Sequence, residues 1–526
     1  MRFILLALMS LMLTIGPARA EDNRAADWWS HARTLASDEY EGRAAGSPGY
    51  DRAADYVIGQ FRTIGLRPAG TDGYRQRVAF TQQTILAQGS SAALIGACAR
   101  TPLAMPADLI LSGAGGPVPE RIDAPLVFAG YGLHLPEAGH DDFAGLDLAG
   151  KIVVVLSGGP AKLSGALKSH ARSERTAWLA ARGAVGLIQL VTPGQVEIPW
   201  ERRIALAAAP ALYFEDASLR DSDAPFFNAQ MDPAKSKLLF EGSGKDFTAI
   251  AAAADVSAPV PVFPLAQRLQ ARIAAQRASL ASDNIIAVLP GSDPELAHEH
   301  VVLSAHLDGY GIGTPIRGDA IYNGAFDNAA GVASLIEIAR ALKARKDRPR
   351  RSILFAIVTA EEKGLLGARY FAARPTVPKQ SLVANLNFDM ALPIFPLVAV
   401  TPIGHDQSTL DGHAKAVSRA MRLPIWPDPF PERNSFTRSD QYAFIREGIP
   451  ALFFKFGFKA GTRQAQAEKT WRATIYHSPF DDANQPVMAA ESVKLNDYVA
   501  AVALRVANAP NRPAWNPGSF FKRFAQ

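Results

Sequence analysis

Three apolar stretches of this chain each run into ionisable side chains. Val301-Val-Leu-Ser-Ala305 leads to His306 and Asp308, Ile353 through Ala360 leads to Glu361-Glu362, and Leu382-Val-Ala-Asn-Leu-Asn-Phe388 leads to Asp389. Asp327 stands just before a helix-patterned segment, and His477 lies within Tyr476-His-Ser-Pro-Phe-Asp-Asp482. Each residue alone has an ordinary explanation. Asp327 suits a helix N-cap, and Glu361-Glu362 suits a solvated helix start favoured by the helix dipole. His306 could be a hydrogen-bonded core histidine and Asp389 a turn residue. Taken together they are imidazoles and carboxylates, the donors that suit borderline divalent cations such as zinc and also admit cobalt or manganese.

These groups need elements that bring them to one place. Strands are predicted at Ile285–Leu289, Val301–Ser304, Ile353–Val358, Leu382–Phe388 and Ala451–Phe456. Between the second and third, Val332, Leu335, Ile336, Ala339 and Leu342 mark one face of a helix running from Ala329 to about Ala344. Alternating strands and helices predict an α/β domain with a largely parallel sheet, and uniformly apolar strands predict a sheet covered on both faces. Ligand sites in such sheets gather beyond the carboxyl ends of the strands, where His306, Glu361-Glu362 and Asp389 fall.

Upstream, residues 28–68 read as mostly helical, with a loop at Gly42, Gly46, Pro48 and Gly49. Beyond Phe80 the chain turns Ala-, Gly- and Pro-rich, with strands predicted at Ala124–Tyr131, Lys151–Leu156 and Val185–Val191 and a helix at Glu174–Gly183. Ala249–Pro264 reads as a linker. His298-Glu-His300 resembles a metal motif by spacing, but Pro294 and polar neighbours predict a surface loop. Gly309, Gly311 and Gly313 do not open a helix in the dinucleotide pattern, and no Gly-x-Ser-x-Gly is found.

Composition bounds the rest. The 526 residues are 48% hydrophobic and 20% charged, ample for sizeable cores and against disorder as the main state. The lone Cys98 excludes an internal disulfide framework and cysteine-based zinc or iron–sulfur sites. A formal net charge of +5 is small for this length and argues against nucleic acid as a partner. Residues 1–20 have the form of a signal peptide. Arg2 is followed by an apolar run from Phe3 to about Ile15, and Ala18-Arg19-Ala20 offers a cleavage site. That run is short of the roughly 20 residues a membrane span needs. The expected mature protein is exported, to a periplasm or the extracellular space, without stable membrane insertion.

Ser304-Ala-His-Leu-Asp308, Gly324-Ala-Phe-Asp-Asn-Ala-Ala-Gly331, Thr359-Ala-Glu-Glu-Lys-Gly-Leu-Leu-Gly367, Asn387-Phe-Asp389 and Tyr476-His477 stand in the order of the two-zinc aminopeptidases. The likeness spans nearly all of Asn284–Val506 and resembles the family that includes glutamate carboxypeptidase II, among the clan MH metallopeptidases. Glu41-Gly-Arg43 and Gly46-Ser-Pro-Gly-Tyr50 also look like the start of such peptidases. Asp141 to Val155 resembles part of an inserted protease-associated domain.

The resemblance implies an α/β, phosphorylase/hydrolase-like fold: a mixed, mostly parallel sheet flanked by helices, with a β-rich insertion. It implies a discontinuous peptidase domain of residues 21–105 and 265–526, and an insertion of residues 106–264. It implies two zinc ions per chain, one held by His306, Asp389 and one oxygen of Asp327, the other by Glu362, His477 and the second Asp327 oxygen. Glu361 would be the general base, and Asp308 would orient the His306 imidazole. Tyr476 would donate to the tetrahedral oxyanion or simply pack beside His477. The implied activity is an exopeptidase acting on a peptide substrate, most simply an aminopeptidase. Arg433 and Arg438 leave a carboxypeptidase open. A glutaminyl-peptide cyclase on the same fold and a non-catalytic, receptor-like binding protein stay open as well. Gln441 departs from the histidine that many relatives carry at this position.

Overall fold

A computed structural model describes residues 17–196 and 198–525; most of the expected signal segment, residues 1–16, lies outside the described residues. Helix α1 (Pro17–Leu35) and α2 (Pro48–Ile64) open the described chain. Then come β1 (Arg75–Ile95), β2 (Arg121–Ala129), β3 (Ile152–Leu156), α3 (Gly165–Ala181), β4 (Gly186–Leu190), α4 (Trp200–Ala207), β5 (Phe227–Met231) and α5 (Phe247–Asp255). The second half holds β6 (Val262–Leu289), β7 (His300–His306), α6 (Ala330–Lys343), β8 (Ser352–Val358), α7 (Leu366–Ala373) and β9 (Leu382–Asn387). It ends with β10 (Val400–Ile403), α8 (Leu410–Met421), α9 (Gln441–Arg446), β11 (Ala451–Phe456), α10 (Arg463–Thr474) and α11 (Ala489–Asn508).

The main path of one large sheet runs β10-β11-β9-β7-β8-β6-β2-β3-β4-β5. Strands β8, β7, β9 and β11 are mutually parallel, as their uniform apolarity predicts. Side chains alternate between two cores. Val301, Leu303 and Ala305 pack with α2, α6 and α11, while Val302, Leu354 and Ala356 pack with Phe371 of α7 and Phe444 of α9.

Strand β6 is 28 residues long and belongs to both halves of the molecule. Its end, Ile285–Leu289, pairs antiparallel with β8, whereas Val262–Pro264 and Arg268–Arg272 pair with β2, and β1 runs beside it from Ile285 back to Arg268. The inserted half has its own parallel strands, β2 to β5, and its own core. That core takes in Ala92, Leu94 and Leu103 before residue 106, and Leu265, Leu269, Ala271 and Ile273 after residue 264.

Ala249–Pro264 is not a linker. It forms most of α5, which buries Ile250, Ala251 and Ala254 in the insert core, and then the start of β6. Alanine-rich sequence is as compatible with a buried helix as with a spacer, and Pro264 is accommodated where the β6–β2 register slips. His298-Glu-His300 is likewise more structural than a surface loop: Glu299 is buried against Arg351 and Arg512, and His300 opens β7 with Nδ1 2.9 Å from the Ser381 hydroxyl.

Candidate active site

Strand register sets the rim of the site. His306, the last residue of β7, lies opposite Val358 of β8, and Ser304 lies opposite Asn387 of β9. Glu361 and Asp389 therefore leave their strands one short turn beyond His306, all at the same edge. Asp327 comes from the segment before α6. Its neighbour Asn328 performs the capping that Asp327 could have performed, with Oδ1 accepting from the Gly331 amide at 3.1 Å. Both Asp327 oxygens are left to face imidazoles: Oδ1 lies 3.3 Å from His306 Nε2, and Oδ2 lies 3.2 Å from His477 Nε2. His306 Nε2 is also 3.7 Å from Asp389 Oδ1, and His477 Nε2 is 3.6 Å from Glu362 Oε2.

Two donor triplets result, each with its ligand atoms within 4.8 Å of one another: His306, Glu361 and Asp389, and Asp327, Glu362 and His477. Glu361 is thus one of the three members of the first triplet. His306 Nε2 and Asp389 Oδ1 are buried with no hydrogen-bond partner, although buried polar groups are ordinarily satisfied. Burial pushes the Glu361 and Glu362 carboxyls well above the usual range, and neighbouring carboxylates push the same way. Burial alone would raise Asp327, but contacts with His306 and His477 outweigh it and hold Asp327 far below that range. Orphaned donors and crowded acids are what cations at the two triplets would satisfy, and the donor types suit zinc.

The sites are held from behind by buried groups. His306 Nδ1 donates to the Asp308 backbone carbonyl at 3.1 Å, while the nearer Asp308 carboxylate oxygen is 3.9 Å away. The imidazole is thus hydrogen-bonded to the Asp308 backbone, with the carboxylate expected to orient it standing farther off. That carboxylate instead accepts from the Glu361 amide at 3.0 Å and the Glu362 amide at 3.2 Å, because the chain turns sharply there, with Leu365 N bonded to Glu361 O. Asp481 does the same for Asp327, its two oxygens accepting from the Phe326 and Asp327 amides at 2.9 Å each. Burial raises Asp481 to about 7. Arg43, fully buried, donates to the carbonyls of Leu35, Leu307, Asn323 and Gly324 and so ties the segment after His306 to the one before Asp327. Gly324 is required there: at φ +59° its missing Cβ would sit 2.2 Å from the Asp327 carbonyl oxygen.

Tyr476 packs against His477 with its ring tilted by 30°, centroids 3.5 Å apart, and burial raises its pKa. The hydroxyl that meets His477 is that of Tyr310, whose Oη is 3.2 Å from Nδ1. With Nε2 facing the carboxylates, Nδ1–H donates to Tyr310, the usual way a ligand tautomer is set. No local pattern marks Tyr310 for this task; its one signal is its place two residues beyond Asp308. Gln441 accepts from Asn387 Nδ2 at 2.9 Å and donates to the carbonyls of Ser435 and Phe436, so it braces the strand end before Asp389. Arg433 is paired with Glu468, and Arg438 is exposed.

The inserted half reaches this centre. Arg202 of α4 donates to the carbonyls of Arg472, Ala473 and Tyr476, gripping the loop that presents His477.

An open α/β sheet with paired imidazole–carboxylate triplets at its strand ends is the architecture of a metallopeptidase domain. Residues 284–503 match the family described as Peptidase family M28. The chain is 29% identical over 206 residues to leupeptin-inactivating enzyme 1 of Streptomyces exfoliatus, covering 38% of this chain and 42% of that protein. It is 30% identical over 196 residues to probable leucine aminopeptidase 2 of Aspergillus fumigatus, covering 35% of each. The matches thus span less than half the length of these relatives. An aminopeptidase from Aneurinibacillus sp. strain AM-1 shares the fold at a TM-score of 0.53 and 20% identity, over 94% of this chain and 95% of that one. Among the described residues no helix is long and apolar enough to cross a membrane.

Proposed function

We propose that the protein is an exported di-zinc aminopeptidase that removes N-terminal residues from peptides. The reading rests above all on Asp327, whose two oxygens each face a different imidazole. In this reading His306, Asp389 and Asp327 hold one ion, and Glu362, His477 and Asp327 the other. Bound there, the ions would polarise the scissile carbonyl and acidify the attacking water. Glu361 takes the proton from that water as its oxygen bonds to the carbonyl carbon. As the C–N bond breaks, Glu361 returns the proton to the leaving amine nitrogen. Asp308 fixes the Glu361 backbone by accepting its amide, and the Tyr310 hydroxyl fixes the His477 ring.

Donors for two ions favour this reading over a cyclase with a single working zinc, and the complete donor set favours it over a receptor-like role. The pairing of Arg433 with Glu468 weighs against a cation reserved for a substrate carboxylate at that position. Residues 106–264 are read as the bulk of a protease-associated insertion, supported by a core of their own that also draws in Ala92, Leu94 and Leu103 before them and Leu265 to Ile273 after them. Export is supported by the apolar Phe3–Ile15 run and the Ala18-Arg19-Ala20 site.

The test compares a good peptide substrate with its Nα-acetylated form, alongside metal analysis. Close to two zinc ions per chain and loss of cleavage on acetylation are expected. Equal hydrolysis of blocked and free peptide would refute the aminopeptidase assignment.

A further inference from the structure

Two cavities lie at or next to the ligand cluster, one lined by its residues and one a single residue away from it. One, of about 50 Å³, adjoins Asp389 through Met390 and is walled by Leu392, Phe395, Phe456 and Phe458. The other, of about 430 Å³, includes Glu362 and His477 and extends along the inserted half past Ile85, Ile110, Leu111, Ile198, Leu206 and Pro210. A peptide bond lying across the cluster places the residue before it at one end and whatever follows it at the other. The small, aromatic-walled cavity suits a single side chain. The larger one has room for an entire residue, and most of its apolar wall comes from the inserted half.

The larger cavity also contains Lys363. Lys455, the lysine of the smaller cavity, is already engaged, donating to the carbonyls of Asp389 and Met390. The half-buried Lys363 amine donates no hydrogen bond and forms no ion pair among the described residues; it lies 5.8 Å over the Tyr310 ring. Lys363 directly follows Glu362, so it stands close to the scissile position. At about 3.5 Å of chain per residue, its reach extends one to two residues past that bond. The anion a peptide offers at that distance is its own terminal carboxylate, when only one residue follows the bond.

We infer that the larger cavity binds the leaving residue of a dipeptide, with Lys363 receiving its free C-terminal carboxylate and the inserted half accepting an apolar side chain. This rests on the aminopeptidase reading above and names its preferred substrate class. Longer peptides and C-terminally blocked ones leave Lys363 without its anion.

The zinc-loaded full chain is assayed with Leu-Leu, with its C-terminal amide and with Nα-acetyl-Leu-Leu. The free acid should exceed the amide in kcat/KM by about 10- to 100-fold, the scale of a charge-assisted hydrogen bond in a partly dry site. Lys363→Met should collapse that ratio through a rise in KM for the acid, and Lys363→Arg should retain most of it. Leu206→Asp should weaken Leu-Leu relative to Leu-Gly. Equal rates on acid and amide, or an unchanged ratio in Lys363→Met, would overturn the subsite while leaving the aminopeptidase reading intact. Cleavage of the acetylated peptide as fast as Leu-Leu would instead bring down the underlying reading, and the subsite with it.

Discussion

Asp308→Asn separates two accounts of how the centre is held. The wild-type carboxylate accepts from two successive amides, those of Glu361 and Glu362, and is fully buried. Asparagine keeps one carbonyl oxygen and turns an NH₂ toward the other amide, so one N–H loses its acceptor and meets a donor. A lost hydrogen bond to a charged group together with an unsatisfied buried amide costs about 2–5 kcal/mol. The cost falls on the turn that carries both the proposed base and a proposed ligand of the second ion. Chemical denaturation in chelator should show that loss in the metal-free protein, where zinc cannot mask it. Metal analysis after gel filtration should show depletion of the ion bound by Glu362 and His477, and turnover should fall about 100-fold or more, as expected for a supporting residue that positions both ligand and base. If Asp308 mattered only to the His306 imidazole, the metal-free protein would keep its stability and the other ion would be the one lost. Unchanged stability, zinc content and turnover would refute both accounts.

Glu361→Gln should retain zinc and lose about 10²- to 10⁴-fold in kcat, as removal of a proton-transfer group does; near-normal turnover would remove Glu361 from its role. Arg202→Ala severs the grip of α4 on the carbonyls of Arg472, Ala473 and Tyr476. Hydrogen exchange should then speed up at residues 472–478, with a stability loss of about 1–2 kcal/mol for partly exposed bonds. Protection equal to wild type would show that the insert does not brace the His477 loop.

The local sequence carried the strands, the helix after Asp327 and the residues gathered at the strand ends, because apolar runs and helical spacing are written in neighbouring residues. Asp308 was legible as a residue of the site, but its task was not: an orienting carboxylate and an amide-holding one have the same local sequence. Asp481 and Arg43 also stand within recognisable motifs, yet Asp481 meets Asp327 across 154 positions and Arg43 meets Leu307 across 264. The fate of Ala249–Pro264 turned on a core assembled from distant strands, and the length of β6 on pairing with β1, β2 and β8 in turn. Tyr310 and Lys363 gained meaning only when a cavity formed around them. The sequence by itself determined which chemical groups this protein has and at which strand ends they emerge. Only the tertiary structure decided their distances, their desolvation and which neighbour satisfies which, since those depend on contacts between segments that no local pattern encodes.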